Sequence, residues 1–513
     1  MRLDPDRFCA FFANDVHLNV LSKGILRWAA LCAAALVAGV VAGCGGASTS
    51  GPGGGPVPGA TTQVTVVASS AANDRVVRFG LTLNSLSLTN KAGKSVPVLS
   101  TPQEVEFVHL NGSSEPLLTV SVPQDVYTSA TATVGYTSFT CVAQNLSTGS
   151  NTTAIYADGS VYNSQVTTQL PEPLTVDGDT MAVSLELQLS QSASFPTTCY
   201  NTVDALVSIT PTFNLATMTV PALPSNPTNG KLSALEGLVA SAGAGSGSFT
   251  VEAADGTPVG TTMSTTWNVK TNSSTTYQGI TNAGAVTAGM AVDFDGVLNP
   301  DGSVLATRVA VPDADTTNLV VNQGPLTEIM SSAPILEQVN QEAEGSQKLV
   351  DGWGLYNFSN ATFAIWGGVT NVPNLPFAAS FDARTIVPGQ MVAITSHVTQ
   401  VERYPNYVPA TVVTLMPQTI DGIVDAIGTA GAFTTYTIRL AQYDVFPQFA
   451  VQGGQTTLLT SPLQVVVYTD QNTQLANTET PSVGSAVRFT GVIFNDNGTL
   501  RMDCTQVEGG VAQ

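Results

Sequence analysis

The sequence predicts an all-β protein: an N-terminal antiparallel β-sandwich followed by three small OB-like β-barrel repeats. Three observations carry that prediction. Runs rich in Val and Thr are punctuated by Gly, Asn and Asp, which favours strands over helices. Charged residues make up only 11% of the chain, while Ser, Thr, Val, Ala and Gly dominate. From Leu232 onward one strand pattern recurs three times. A length of 513 residues leaves room for three or four domains.

The chain opens with a segment outside that fold. Lys23 and Arg27 form a short basic stretch ahead of an apolar run at residues 28–41. The run is too short to cross a bilayer core of about 30 Å, which takes about 20 helical residues. Its length suits a signal peptide. Val41-Ala42-Gly43-Cys44 follows and resembles the lipobox of bacterial lipoproteins. The resemblance implies that residues 1–43 are a signal peptide and that Cys44 becomes the mature N-terminus, carrying a thioether-linked diacylglycerol. One acyl chain holds a protein only marginally, and two or more anchor it stably. Position 45 is Gly rather than the Asp that favours inner-membrane retention, so the outer membrane is expected. Asp4, Asp6 and Asp15 sit oddly ahead of such a signal, and translation is expected to begin near Val20 or Leu21. Residues 44–62 are mostly Gly, Ser, Pro and Thr and read as a flexible tether, with an average reach of about 25 Å.

The first folded body is expected at residues 63–220. Leu81, Leu83, Leu86 and Leu88 alternate with polar residues, with an irregularity near Ser85. Residues 90–94 read as a turn. Residues 104–110 read as a strand ending in a hairpin at Asn111-Gly112. Strands follow at 117–122, 127–142, 181–189 and 205–213, with turns at Asp158-Gly159 and Asp177-Gly178. Many short strands with regular turns predict an antiparallel sandwich. The order of these strands, with Val122-Pro123 and Tyr127-Thr128, resembles a β-domain of bacterial surface lipoproteins, domain of unknown function 4382, over residues 75–215. Val126 stands where that family has Gly. The resemblance implies location and fold and no activity.

Residues 221–231 carry three prolines and an Asn-Gly and read as a linker. The repeats are expected at 232–318, 319–419 and 420–513. Their openings are Glu236-Gly-Leu-Val239, Gln323-Gly-Pro-Leu326 and Asp421-Gly-Ile-Val424. Their later strands begin at Gly289, Gly389 and Gly484. The middle unit is the faintest. Five or six strands in about 85–100 residues fit a small closed barrel of the OB type, which hides its sheet edges. The stretch Gly-x-x-Val-x-(Phe/Ile), present in all three, resembles domain of unknown function 5666 of bacterial secreted proteins, which again implies a fold and no chemistry. One helix is expected, as an insertion in the middle unit at residues 335–344.

The net charge is −20, and the presequence is nearly balanced, so the acidity belongs to the mature body. An acidic body repels nucleic acid and anionic headgroups. Cys9 and Cys32 fall in the presequence. Cys141 and Cys199 fall in the first domain and are paired as a disulfide, as an oxidising compartment permits. Cys504 is then left over, as a buried small hydrophobe or an intermolecular bridge.

Candidate sites are few. His109 and His397 fall in different domains and are expected on strand surfaces. No HExxH, P-loop, paired CxxC or strand-turn-helix GxSxG occurs. Asp293 and Asp295 share a strand face and Asp301 follows in the next turn, a set that could hold Ca²⁺ or simply be a solvated face. Trp353, Tyr356 and Trp366 lie in an aromatic-rich stretch and are candidate ligand-binding residues, the alternative being barrel core and inter-domain packing. The leading function class is a lipid-anchored structural or binding module contacting glycan, peptide or another envelope protein. The competing class is an envelope hydrolase using Asp or Glu carboxylates, acting on glycan; it would need two convergent carboxylates in a cleft.

Overall fold

The computed structural model describes residues 55–71, 76–144, 151–157, 164–192, 210–218, 220, 231–243, 247–253, 265–330, 333–345, 352–369, 371–398, 407–441, 444–452, 463–476 and 480–509. Cys44, Cys199, Asp158-Gly159 and residues 221–230 of the linker lie outside them. Of Cys141 and Trp353 only the backbone is described. Among the described residues the regular structure is almost entirely strand, and no helix is long and apolar enough to cross a membrane.

The N-terminal body comprises β1 (Thr61–Ala71), β2 (Val76–Asn90), β3 (Ser95–Leu99), β4 (Gln103–Glu106), β5 (Ser114–Pro123), β6 (Asp125–Gln144), β7 (Asn151–Ala157), β8 (Ser164–Val176), β9 (Thr180–Gln188), a short α1 (Leu189–Ser192) and β10 (Phe213–Met218). One sheet runs β10-β9-β1-β5, and the other runs β3-β2-β6-β7 with β4 and β8 attached. Val64, Val66 and Leu185 of the first sheet share one core with Phe79, Leu81 and Val134 of the second, which makes the body a sandwich. The expected irregularity near Ser85 is present as a register shift between Leu83 and Ser85. Asn90 closes the β2–β3 turn by accepting from Ala92 and Lys94 N–H through Oδ1.

Two features differ from expectation. The sandwich is not wholly antiparallel: β1 pairs with β9 in parallel. The long crossover a parallel pair needs is supplied by the strands between them. Asn111-Gly112 is not a hairpin turn, because β4 pairs with β2 and β5 with β1, so the chain crosses between sheets there. The tether is also shorter than expected. Val57 N–H donates to Gln124 Oε1 and β1 begins at Thr61, so its last residues belong to the sandwich.

The first barrel comprises β11 (Lys231–Ala242), β12 (Ser248–Ala253), β13 (Thr266–Lys270), β14 (Thr276–Gln278), β15 (Ala291–Leu298) and β16 (Val304–Ala310). The middle barrel has β17 (Leu319–Met330), β18 (Ile335–Asn340), β19 (Glu342–Gly345), β20 (Gly352–Asn357), β21 (Thr362–Ile365), β22 (Met391–His397) and β23 (Val408–Leu415). The last has β24 (Gln418–Ala430), β25 (Phe433–Leu440), α2 (Val445–Gln452), β26 (Gln464–Thr469), β27 (Gln474–Ala476), β28 (Ala486–Asp496) and β29 (Thr499–Gly509). In each, five strands close in the same order. β11-β12-β13-β16-β15 returns to β11, with β13 and β16 parallel. β17-β18-β20-β23-β22 and β24-β25-β26-β29-β28 repeat that ring, with β20–β23 and β26–β29 parallel.

The repeat extends to single atoms. The first strand of each barrel shifts register just after Val239, Leu326 or Val424. The carbonyl of that residue accepts from the N–H of Gly289, Gly389 or Gly484, at 2.8, 2.7 and 2.8 Å. These glycines have φ of 86°, 89° and 87°, a region that L side chains rarely adopt. Bulge and glycine together turn the first strand so that it can pair on both sides.

The expected helix at 335–344 is absent, and β18 and β19 occupy the segment. Ile335, Leu336 and Val339 are spaced like an apolar helix face. They are instead buried on both sides of one strand: Leu336 joins the middle barrel core, while Val339 packs outward on Val77 and Phe449. A strand buried on both faces loses the alternation that marks it.

Candidate functional site

The ionisable groups buried in this molecule gather where its domains meet. Glu106 ends β4 and organises the turn after it. Its carboxylate accepts from the backbone N–H groups of Phe79 at 2.7 Å, Val108 at 3.1 Å and His109 at 2.8 Å. This stops the strand and turns His109 inward, against the expectation of a surface position. The imidazole is 8% exposed and lies among three carboxylates. Nδ1 is 3.2 Å from Glu106 Oε2. Nε2 is 2.7 Å from Glu342 Oε1 of the middle barrel and 3.5 Å from Glu115 Oε2 of β5. Burial alone would lower the His109 pKa. The charge of Glu342 and the hydrogen bonds to Glu106, Glu115 and Glu342 outweigh it and hold the imidazole well above its usual value. Burial pushes Glu115 up.

A second knot joins the first and middle barrels. Glu236 on β11 is buried, and burial together with the charges of Glu344, Glu342 and Asp293 holds its carboxyl well above the usual range. With its amide turned to donate, Gln323 of β17 places Nε2 2.7 and 3.0 Å from the two Glu236 oxygens. Asp293 stands directly across from Glu236 in the β11–β15 pairing. Burial raises its pKa although Arg308 works the other way.

The remaining predicted site residues separate into different roles. Asp293 and Asp295 are brought together, but around an arginine: Arg308 Nη2 donates to Asp293 Oδ1 at 2.6 Å and Nε to Asp295 Oδ2 at 2.5 Å. Asp301 does not join them. It lies exposed in the β15–β16 hairpin, where Lys270 and Ser303 hold its pKa at about 2. Among the described residues no group of three or more His, Cys, Asp or Glu is placed to hold a metal ion. Tyr356, offered as a ligand contact, is instead fully buried in the middle barrel core, with its hydroxyl 3.4 Å from Asn340 Oδ1. Trp366 packs between barrels, with the Arg308 guanidinium 5.3 Å from its ring. Cys504 is buried in the last barrel and its Sγ donates to Gln506 O at 3.1 Å, a position out of reach of an intermolecular bridge. His397 is half-exposed and pairs with Asp313 at 2.9 Å.

Two clefts flank the knots. The first, a narrow cleft of about 80 Å³, lies between the sandwich, the middle barrel, the last barrel and α2; His109, Asn111, Gln341, Asp421 and Asp444 contribute to its wall. The second, of about 240 Å³, lies between the first and middle barrels and carries Glu236, Asp293, Glu344 and Trp366.

The junction residues were missed in sequence because each domain supplies only part of the cluster. One signal was present. Glu236, Gln323 and Asp421 occupy the same repeat position, each before a glycine, and all three are buried. A polar residue kept beside that glycine in every unit marks a covered outer face. No protein-family model matches this chain, and no curated protein matches it.

Proposed function

We propose that this chain is a lipid-anchored bacterial envelope protein that serves as a structural or binding module, held through Cys44 at the outer membrane. The observation that carries the module reading is the His109–Glu342 junction. Buried ionisable groups are spent on joining the sandwich to the barrels, and the clefts beside them take walls from different domains. Such a body suits holding a glycan, a peptide or another envelope protein. Its acidity disfavours nucleic acid. The resemblance of residues 41–44 to a lipobox supports the anchor.

The test is palmitate labelling and intact mass of the full chain in a bacterial host, beside Cys44→Ala. Acyl mass and membrane partition in the wild type alone are expected. Release of both proteins with an unmodified N-terminus would remove the anchor from the proposal.

One observation favours a second reading, an envelope hydrolase. Glu236 and Asp293 are cross-strand neighbours with raised pKa in one cleft, the arrangement that paired-carboxylate chemistry needs. Turnover of a polysaccharide by the wild type and its loss in Glu236→Gln would favour the hydrolase; binding without turnover would favour the module.

A further inference from the structure

Where the middle and last barrels meet, one buried acid stands apart from the junctions described above. Asp503, on β29, is 1% exposed, and its Oδ2 has no protein partner. The group that hydrogen-bonds its carboxyl comes from the other barrel, the side chain of Asn371. Burial pushes the carboxyl up to about 6, and the charge of Asp470 adds to the rise. No cation offsets it. Arg501, two residues back on the same strand, is turned to Asp496 at 2.8 Å and to the Tyr468 hydroxyl. Arg488 of β28 stands at the far end of that ladder, near Glu508. Neither β26 nor residues 371–377 carry a charge.

Asn371 opens a segment with little backbone bonding of its own. Pro373 and Pro376 have no N–H to donate. A short 3₁₀ turn at Val372–Asn374 is closed by Asn374 N–H donating to Asn371 O at 2.7 Å. Asn371 gives this turn no side-chain cap. The far end of the segment is pinned. Leu375 sits in the core of the middle barrel, and the Phe377 ring lies 5.0 Å from Tyr468 and 5.9 Å from Phe494. Residues 371–374 can therefore lift about Leu375 without breaking either barrel. They also border a groove of about 380 Å³, whose opposite side is formed by residues 430–433 and 470–472.

A protonated carboxyl is tolerated in this position. An ionised one, held by a single amide with a like charge beside it, is not, unless water reaches it. Water reaches it when the segment above it moves. We infer that residues 371–374 are a pH-responsive strap, which closes over Asp503 while its carboxyl is protonated and lifts when it ionises, opening the groove between the barrels. The sign follows from the raised value in the closed form. Closure is fully held below the ordinary value of 3.8 and is lost as pH rises through about 6.

The test is amide hydrogen exchange of the full chain in detergent, read by mass spectrometry of the peptide spanning residues 371–377. Each rate is divided by the intrinsic rate at its pH, which leaves the opening equilibrium. Opening is expected to increase about ten-fold between pH 5 and pH 8 and to level off above about pH 7. Asp503→Asn cannot ionise and is expected to keep the segment protected to the same degree at every pH. Asn371→Lys places an ammonium beside the carboxylate and is expected to keep the segment protected at pH 8. That variant decides the matter if Asp503→Asn does not fold. Opening that is flat with pH in the wild type would overturn the inference. So would a pH dependence that survives in Asp503→Asn, or opening at pH 8 in Asn371→Lys equal to that of the wild type.

Discussion

The middle and last barrels share one strand order and differ in what fills them. The last barrel is packed by Ile420, Val424, Ile438, Val465, Val467 and Phe489, all buried and apolar. In the middle barrel, Asn322 takes the place that Leu235 and Ile420 hold in its neighbours, just before the polar-Gly pair. Gln338, Asn340 and Ser396 are buried with it. Gln338 Nε2 donates to Gly324 O at 3.1 Å and Val392 O at 2.8 Å. Both polar atoms of Asn322, Gln338 Oε1, Asn340 Nδ2 and Ser396 Oγ have no protein partner. The topology therefore does not depend on an apolar filling. It follows from the bulges, the glycine turns and the close backbone contacts that all three barrels keep. The middle barrel recovers its burial from outside: Ala291 of the first barrel and Phe433, Tyr468 and Phe494 of the last belong to the same apolar cluster as its own core.

The sharpest way to break this comparison is to give an outer barrel the middle barrel's residue. Ile420→Asn and Leu235→Asn each remove a buried apolar side chain and leave an amide with no donor or acceptor nearby. Each is expected to cost about 3–5 kcal/mol, read as a lowered urea midpoint. A cost under about 1 kcal/mol would mean that the outer barrels tolerate polar filling as well.

The shared glycines give the next largest effect. A Cβ on Gly324 would lie 1.7 Å from Val339 O, on Gly237 2.1 Å from Glu252 O, and on Gly422 2.5 Å from Arg439 O. Alanine at each is expected to destabilise by about 1–3 kcal/mol, with Gly324→Ala the worst. The reverse order in thermal melts would show that the middle barrel yields more easily than its contacts imply.

The same contrast explains what the sequence made legible. The outer barrels announced themselves because their inner faces alternate: on β25, Tyr436, Ile438 and Leu440 point inward, with Thr435, Thr437 and Arg439 between them. The middle barrel was faint because Asn322, Gln338 and Asn340 interrupt that alternation from the inside, while Val339 and Gln323 are covered from the outside. That is also why β18 read as a helix. The site was less legible than the fold. His109 is buried by Glu342, which lies 233 positions further along the chain, and no local pattern links them. Asp293 and Asp295 both meet Arg308, which reaches them from β16, a partner that the alternation of their own strand does not reveal.

Protonation separates the two regions by a smaller margin. Burial and like charges raise the folded-state pKa of Glu236 well above 4.5, and its carboxylate neighbours raise that of His109 well above 6.5. A group with a raised folded pKa contributes stability fully below its unfolded value and loses it as pH rises through the folded one. The junction is therefore expected to weaken from about pH 5 upward for Glu236 and from about pH 6.5 upward for His109. Asp503 of the last barrel follows the same sign, pushed up to about 6 by burial, so its loss is complete at a lower pH. Urea midpoints at pH 5, 7 and 9 are expected to fall, by about 1 kcal/mol per group for each pH unit crossed. Glu236→Gln and Asp503→Asn are each expected to flatten the fall, the contribution of Asp503→Asn ending near pH 6. Equal flattening by the two variants would remove the distinction.

The smallest effect expected is the most telling. Asn322→Leu replaces an amide that gains no protein hydrogen bond with the apolar side chain of the first barrel. The amide was desolvated in folding without compensation, so removing it restores about 1–3 kcal/mol. Leucine occupies a different shape, and fitting it among Val320, Ile394 and Ser396 costs a comparable amount. The balance is a change within about 1 kcal/mol of zero, neutral or stabilising, where Leu235→Asn at the matching position is costly. That asymmetry is the test. A loss of 2 kcal/mol or more in Asn322→Leu would mean that the polar interior of the middle barrel is itself a source of stability, and that this barrel does not rest on its neighbours alone.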